Sequence, residues 1–202
     1  MLRLFDYLPS GNGYKVRLLL QWLDIPYKYV DVDIEKGETR TADFLQKNPN
    51  GKIPVLQMED GSFLWESNAI LWHFAKGTPY LPEGTLEQAK VLQWLFFEQY
   101  SHEPNIATPR FWLTHGKDMT PFLKELLAQK QELGNKALAV METHLKEQPY
   151  FVGVSPTIAD IGLYGYTHVA EEGGFDLGSY PAVSDWLARI AAVPGSRPIT
   201  KP

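Results

Sequence analysis

The sequence predicts an α/β unit followed by an all-helical one. Three observations carry this expectation. Strand-like and helix-like stretches alternate as far as residue 76, a turn-rich stretch interrupts at 77–84, and only helical periodicity recurs beyond it. Leu2–Phe5 is a short apolar run that reads as a buried strand. Leu8–Gly13 is a loop of turn residues, and Val16, Leu19, Leu20 and Leu23 then predict a helix over 13–24 that Ile25-Pro26 stops. Tyr27–Asp33 alternates as a second strand. Lys36–Thr41 is a polar loop and Ala42–Gln46 a short helix. Ile53–Gln57 and Ser62–Leu64 flank Glu59-Asp60-Gly61, a hairpin signal. Glu66–Ala75 carries Ile70, Leu71 and Phe74 on a helical spacing. The order is βαβ-α-ββα.

Two Pro and two Gly within residues 77–84 mark a linker. The expected domains are therefore 1–76, the linker 77–84, and a helical 85–202. In the second half, Leu86–His115 reads as a long helical pattern broken near Pro104 and Pro109. Phe122, Leu126, Leu133, Ala137, Val140 and Leu145 mark another long helix, and 157–170 and 182–193 two more. Thr157-Ile158-Ala159-Asp160 has the spacing of a capping box, and we assign it to folding.

With 202 residues, 44% of them hydrophobic, the chain has material for a sizeable core. A net charge of −5 removes the electrostatic drive toward nucleic acid or an anionic membrane. No segment reaches the roughly 18 consecutive apolar residues of a membrane span. The beginning of the chain has no signal-peptide layout, and the absence of cysteine fits the expectation of a cytoplasmic protein. Cysteine is absent, so any thiol chemistry must use a thiol brought by a ligand. The five His show no metal spacing, and no metal is expected.

Two stretches together form a socket for a small peptide-like ligand carrying carboxylates. Asn48–Leu56 is a turn running through Lys52-Ile53-Pro54 into an apolar strand. A peptide bond before Pro is cis at small cost, and a cis bond at a strand start turns the preceding backbone outward. Ile53 could then pair with an extended peptide as an added strand; the alternative is an ordinary turn. Glu66-Ser67 opens a helix whose free N–H groups attract a carboxylate, while Glu66 accepts from an ammonium; the alternative is simple capping.

The runs Pro9–Lys15, Asn48–Leu56, Glu66-Ser67 and Thr157–Asp160, in this order, resemble the cytosolic glutathione transferases. The first resembles bacterial Ser-type members, theta and Nu-like. The resemblance spans essentially the whole chain. It implies a thioredoxin-like first domain, a helical-bundle second domain, glutathione as co-substrate and a homodimer. It implies a transferase that activates glutathione as thiolate for attack on a small hydrophobic electrophile. The alternatives are a glutathione-dependent disulfide reductase or peroxidase, or a non-catalytic interaction module.

By the same resemblance, Ser10 donates to the glutathione sulfur and Asn12 assists, with Tyr7 the competing donor; the alternative is that Ser10 or Asn12 merely caps the helix. Lys52, Ile53, Pro54, Glu66 and Ser67 bind glutathione, and Lys15 or Arg40 could join Lys52 on its glycyl carboxylate. The resemblance places Glu98–Glu103 beside the cleft of the fold, so His102 is a candidate for the acceptor or for the partner subunit's glutathione; the alternative is a solvated polar patch. Arg110, Phe111, Trp112, Tyr164 and Tyr166 are candidates for the acceptor pocket. The alternative for the aromatic residues is packing in a helical core.

Overall fold

The computed structural model describes every residue except Lys117. Two compact units emerge: Met1–Thr78 together with Val193–Pro202, and Pro79–Ala192.

The first unit runs β1 (Leu2–Asp6), α1 (Gly11–Trp22), β2 (Tyr27–Asp31), α2 (Ala42–Lys47), β3 (Val55–Gln57), β4 (Phe63–Trp65) and α3 (Ser67–Ala75). The sheet order is β2-β1-β3-β4; β1 and β2 are parallel, and the β1/β3 and β3/β4 pairs antiparallel. Alternation along the strands builds two cores. Leu2, Leu4 and Leu56 face Val16, Leu20 and Ile70 of α1 and α3, whereas Phe5 and Val55 face Val32 and Phe44 on the other side. Each fully buried aliphatic side chain contributes roughly 1.5–3 kcal/mol, so α1 and α3 are held mainly by this packing.

Helix α1 begins at Gly11 rather than Gly13, because Ser10 acts as its N-cap. The polar loop also contains a single 3₁₀ turn, Glu38–Arg40. Val193–Pro202, expected within the helical domain, instead belongs to the first unit. The reason is polar. The Tyr14 hydroxyl donates to Arg197 O at 2.7 Å, Trp22 Nε1 to Ser196 Oγ at 3.0 Å, and Arg17 to Ile199 O and Lys201 O at 2.9 and 2.8 Å.

The second unit comprises α4 (Thr85–Phe97), α5 (Glu103–Thr114), α6 (Pro121–Leu145), α7 (Ile158–Thr167) and α8 (Pro181–Ala191). The predicted break near Pro104 takes the form of a π-turn, Glu98–His102, closed by Glu103 N–H donating to Glu98 O. Pro104 has no N–H to continue the α ladder, and the turn before it widens. The break expected at Pro109 is absent: α5 runs through it to Thr114. On α6 the buried face is Ala137, Leu138, Met141 and Leu145, while Phe122, Leu133 and Val140 from the predicted stripe are exposed. The capping box at α7 forms as expected. Asp160, fully buried, accepts from Thr157 N, Thr157 Oγ1, Phe151 N and Trp186 Nε1 at 2.8, 3.1, 3.1 and 2.9 Å. No helix among the described residues is long and apolar enough to cross a membrane.

Candidate functional site

The sheet register gathers the ligand motifs at one end of the sheet. Phe5 pairs with Val55, and Val55 with Trp65. The end of β1, the start of β3 and the end of β4 therefore lie side by side, which brings together Tyr7–Asn12, Lys52–Pro54 and Glu66-Ser67. The Ile53–Pro54 peptide is cis. Ile53 lies outside the strand ladder, which starts at Val55, so its backbone groups are not used in sheet pairing.

The loop before Ile53 is built by Asn48. Its side chain donates to Lys52 O at 2.8 Å and accepts from Asn50 N at 2.9 Å, and its carbonyl accepts from Gly51 N at 2.9 Å. Gly51 has φ +62°, and a side chain there would run into the Arg40 guanidinium, which donates to Asn50 O at 3.3 Å. Arg40 thus braces the loop, while Lys52 is exposed.

Glu66 connects β4 to α3 with φ +70° and ψ 112°, a conformation that non-glycine residues rarely adopt and that clusters at functional sites. Its C=O starts the helix by accepting from Ile70 N at 3.0 Å, but its side chain makes no cap bond and the residue is exposed. Helix α3 therefore opens without a capping side chain from Glu66, with Ser67 as its first residue. Such a terminus carries partial positive charge.

The two helix N-termini meet. Ser67 Oγ donates to Asn12 Oδ1 at 3.3 Å, across from α3 to α1. Lys15 Nζ donates to the same oxygen at 2.7 Å. Ser10 caps α1 by accepting from Gly13 N at 3.5 Å. Its own N–H donates to Tyr7 O at 2.8 Å, which folds the Tyr7–Ser10 turn. Tyr7 and Ser10 are both half-buried. Ser10, Asn12 and Ser67 are thus brought together; Lys15, predicted as a contact to a carboxylate, is instead fully buried behind Asn12.

Arg17 was not foreseen as part of this region. Its Nε lies 3.2 Å from Asp6 Oδ2, both side chains being fully buried. Burial pushes the Asp6 carboxyl up to about 7, against the pull of the Arg17 guanidinium. Arg17 also donates to Leu8 O at 2.7 Å, so one guanidinium ties β1, the loop leading to Ser10 and the tail. The sequence signal was a charged residue inside the apolar run Val16–Leu20. Asp6 lies tightly against Gly13, and a Cβ on Gly13 would fall within its carboxyl group.

The residues proposed for an acceptor pocket lie in the second unit and are engaged in separate pairings. His102 is buried, with Nε2 2.9 Å from Thr167 Oγ1. Arg110 Nε donates to Glu172 Oε2 at 2.7 Å. Phe111 stacks on His115 at 4.1 Å. Tyr164 is buried, stacked on His168 at 4.7 Å and edge-on to Trp186 at 6.0 Å. Tyr166 is buried and Trp112 half-buried. Among the described residues, no group of three or more His, Cys, Asp or Glu is placed to hold a metal ion.

Known proteins resemble this chain over both of its units. The family model of the glutathione S-transferase N-terminal domain matches residues 1–76, and that of the C-terminal domain residues 91–194. A crystal structure of a glutathione S-transferase from Pseudomonas fluorescens Pf-5 superposes with a TM-score of 0.96 at 48% identity, covering 99% of each chain. The disulfide-bond oxidoreductase YfcG of Escherichia coli K12 is 30% identical over 197 residues, spanning 94% of this chain and 90% of YfcG. The glutathione transferase URE2P8 of Phanerochaete chrysosporium, solved with oxidized glutathione, has a TM-score of 0.86 at 26% identity, covering 96% of this chain and 90% of that one.

Proposed function

This chain belongs to the glutathione S-transferase family, and we propose that it binds glutathione at the edge of its first unit and activates the thiol as thiolate. The observation that carries this reading is the meeting of the α1 and α3 N-termini through Asn12 and Ser67, beside the cis Ile53–Pro54 turn. In this reading the Ile53 backbone pairs with the cysteinyl unit as an added strand. Glu66, Ser67 and the α3 N-terminus hold the γ-glutamyl end, and Lys52 meets the glycyl carboxylate. The sulfur then sits at the α1 N-terminus near Ser10 and Asn12. A free thiol is mostly protonated at neutral pH, and each unit of pKa depression needs about 1.4 kcal/mol of preferential thiolate stabilisation. A hydroxyl donor, an amide donor and the positive end of a helix are suited to supply it.

The thiolate attacks the electrophilic carbon of a small hydrophobic acceptor, and the leaving group departs with the bonding pair. Catalysis is then positioning plus electrostatic stabilisation, with no covalent enzyme intermediate. A second reading is disulfide reduction, favoured by the similarity to an oxidoreductase named for that chemistry. There the thiolate attacks one sulfur and expels the other as thiolate; a second glutathione resolves the mixed disulfide and yields oxidised glutathione. With no cysteine in the chain, both sulfurs of that product come from glutathione. A symmetric homodimer is the proposed assembly, supported by Phe96 and Tyr100, exposed by 69% and 89% on α4 and the π-turn.

The test is an ultraviolet thiolate titration of bound glutathione, followed by turnover with an aromatic halide and with a mixed disulfide of glutathione. A thiol pKa well below that of free glutathione is expected. Binding with an unshifted thiol, or no binding, overturns the enzymatic reading.

A further inference from the structure

We infer that Lys15 is a positioning residue: it fixes the orientation of the Asn12 amide so that the N–H₂ edge, not the carbonyl edge, meets the glutathione sulfur. This rests on the reading above that the sulfur sits at the α1 N-terminus.

A fully buried lysine needs a reason, because an ammonium removed from water is costly unless it is hydrogen-bonded. Lys15 is 0% exposed, and its Nζ stands 2.7 Å from Asn12 Oδ1, one turn earlier on α1. An ammonium has three donors and no acceptor. It therefore faces the oxygen of an amide and never its nitrogen, which sets the flip state of Asn12 by chemistry alone. Ser67 Oγ approaches the same oxygen at 3.3 Å from α3. With two donors converging on Oδ1, Nδ2 is turned the other way. Asn12 is half-exposed at the second position of α1.

The orientation decides the sign of what Asn12 does to a sulfur. An N–H₂ edge donates to a thiolate and favours it; a carbonyl edge repels it. Without Lys15 the amide could rotate by half a turn about its last torsion at little cost, since that torsion is broad and nearly two-fold. The buried positive charge behind the amide adds a longer-range preference for thiolate of the same sign. Lys15 thus acts through Asn12 and through its charge, without touching the substrate.

The experiment compares wild type, Lys15→Met and Asn12→Asp by calorimetric titration with glutathione and by ultraviolet titration of the bound thiol. Lys15→Met keeps the length of the side chain and removes charge and donor. Asn12→Asp keeps acceptor oxygens for Lys15 and Ser67 and removes the donor edge. The expected result is that both variants bind glutathione within several-fold of wild type while the thiol pKa rises by about one unit or more. A merely structural lysine would change stability and leave the thiol where it was. If wild type binds with a depressed thiol pKa and Lys15→Met leaves it unchanged, the inference is overturned. Should Lys15→Met not fold, an unchanged thiol pKa in Asn12→Asp overturns it equally. If wild-type protein fails to bind glutathione, or binds it with an unshifted thiol, the functional reading itself fails and this inference falls with it.

Discussion

Replacing Asp160 should be among the most damaging single changes in the second unit. The carboxylate is fully buried and serves four donors: Thr157 N–H and Oγ1–H on one oxygen, Phe151 N–H and Trp186 Nε1–H on the other. It ties the start of α7, the segment before it and α8 at one point. Burial pushes this carboxyl up to about 6, so it is ionised at pH 7.5. Asp160→Ala leaves three buried N–H donors without an acceptor, at about 1–3 kcal/mol each. Shared relaxation makes the sum less than additive, so the expected loss is roughly 4 kcal/mol. For a chain of this size that lowers Tm by roughly 8–16 °C. Asp160→Asn retains the oxygen facing Phe151 and Trp186 and presents N–H₂ to Thr157 N–H, so about half the loss, ~2 kcal/mol, is expected. The assay is urea unfolding at pH 7.5 followed by tryptophan fluorescence. The reasoning is refuted if Asp160→Ala lies within ~1 kcal/mol of wild type, or if Asp160→Asn is as harmful as Asp160→Ala.

Three further outcomes are expected. Gly13→Ala sets a Cβ inside the Asp6 carboxyl group and should lose about 3 kcal/mol or more, read as a fall in thermal midpoint; an unchanged midpoint contradicts the tight Asp6–Gly13 packing. Because Asp6 is held above its unfolded value of 3.8 to about 7, the unfolded chain releases this proton first as pH rises through that window. Stability should therefore fall between pH ~4 and ~7, by at most about 1.4 kcal/mol per unit, and Asp6→Asn should flatten that slope in urea unfolding at stepped pH. Ser10→Ala should lower turnover roughly 10- to 100-fold with little change in glutathione affinity, the worth of one hydrogen bond to a charged group; steady-state kinetics in which Ser10→Ala is silent and Tyr7→Phe is inactive would transfer the role to Tyr7.

Local chemistry wrote much of this molecule into its sequence. The β and α periodicities, the Ile-Pro turn, the glycine and proline punctuation and the Thr157–Asp160 box are short-range features, and each was recovered within a few residues. The family resemblance, carried by those runs in order, was legible for the same reason. Where the sequence misled, a long-range partner decided. Pro109 reads as a helix breaker, yet α5 continues through it, packed against α6 and the Ala170–Gly173 turn. The stripe on α6 named Phe122, Leu133 and Val140 as well as Ala137 and Leu145, and only the packing of α5 and α8 against α6 selects the buried face.

The candidate site divides along the same line. Sequence alone determined which residue types stand at the strand and helix ends, and that any reactive thiol must be brought in. The tertiary structure decided their mutual arrangement. Strand register placed the three motifs at one end of the sheet; Ser67 crossed to Asn12; Arg17 reached from α1 to Asp6, Leu8 and the tail; and Lys15 turned inward, where a surface contact had been expected. A lysine and an arginine in a helix read as solvated charges, since burial is normally prohibitive for them. Arg17 finds its place inside because the chain brings the Asp6 carboxylate and the Leu8, Ile199 and Lys201 carbonyls around one guanidinium, the last two from the far end of the chain, while Lys15 meets the Asn12 amide one turn away on its own helix.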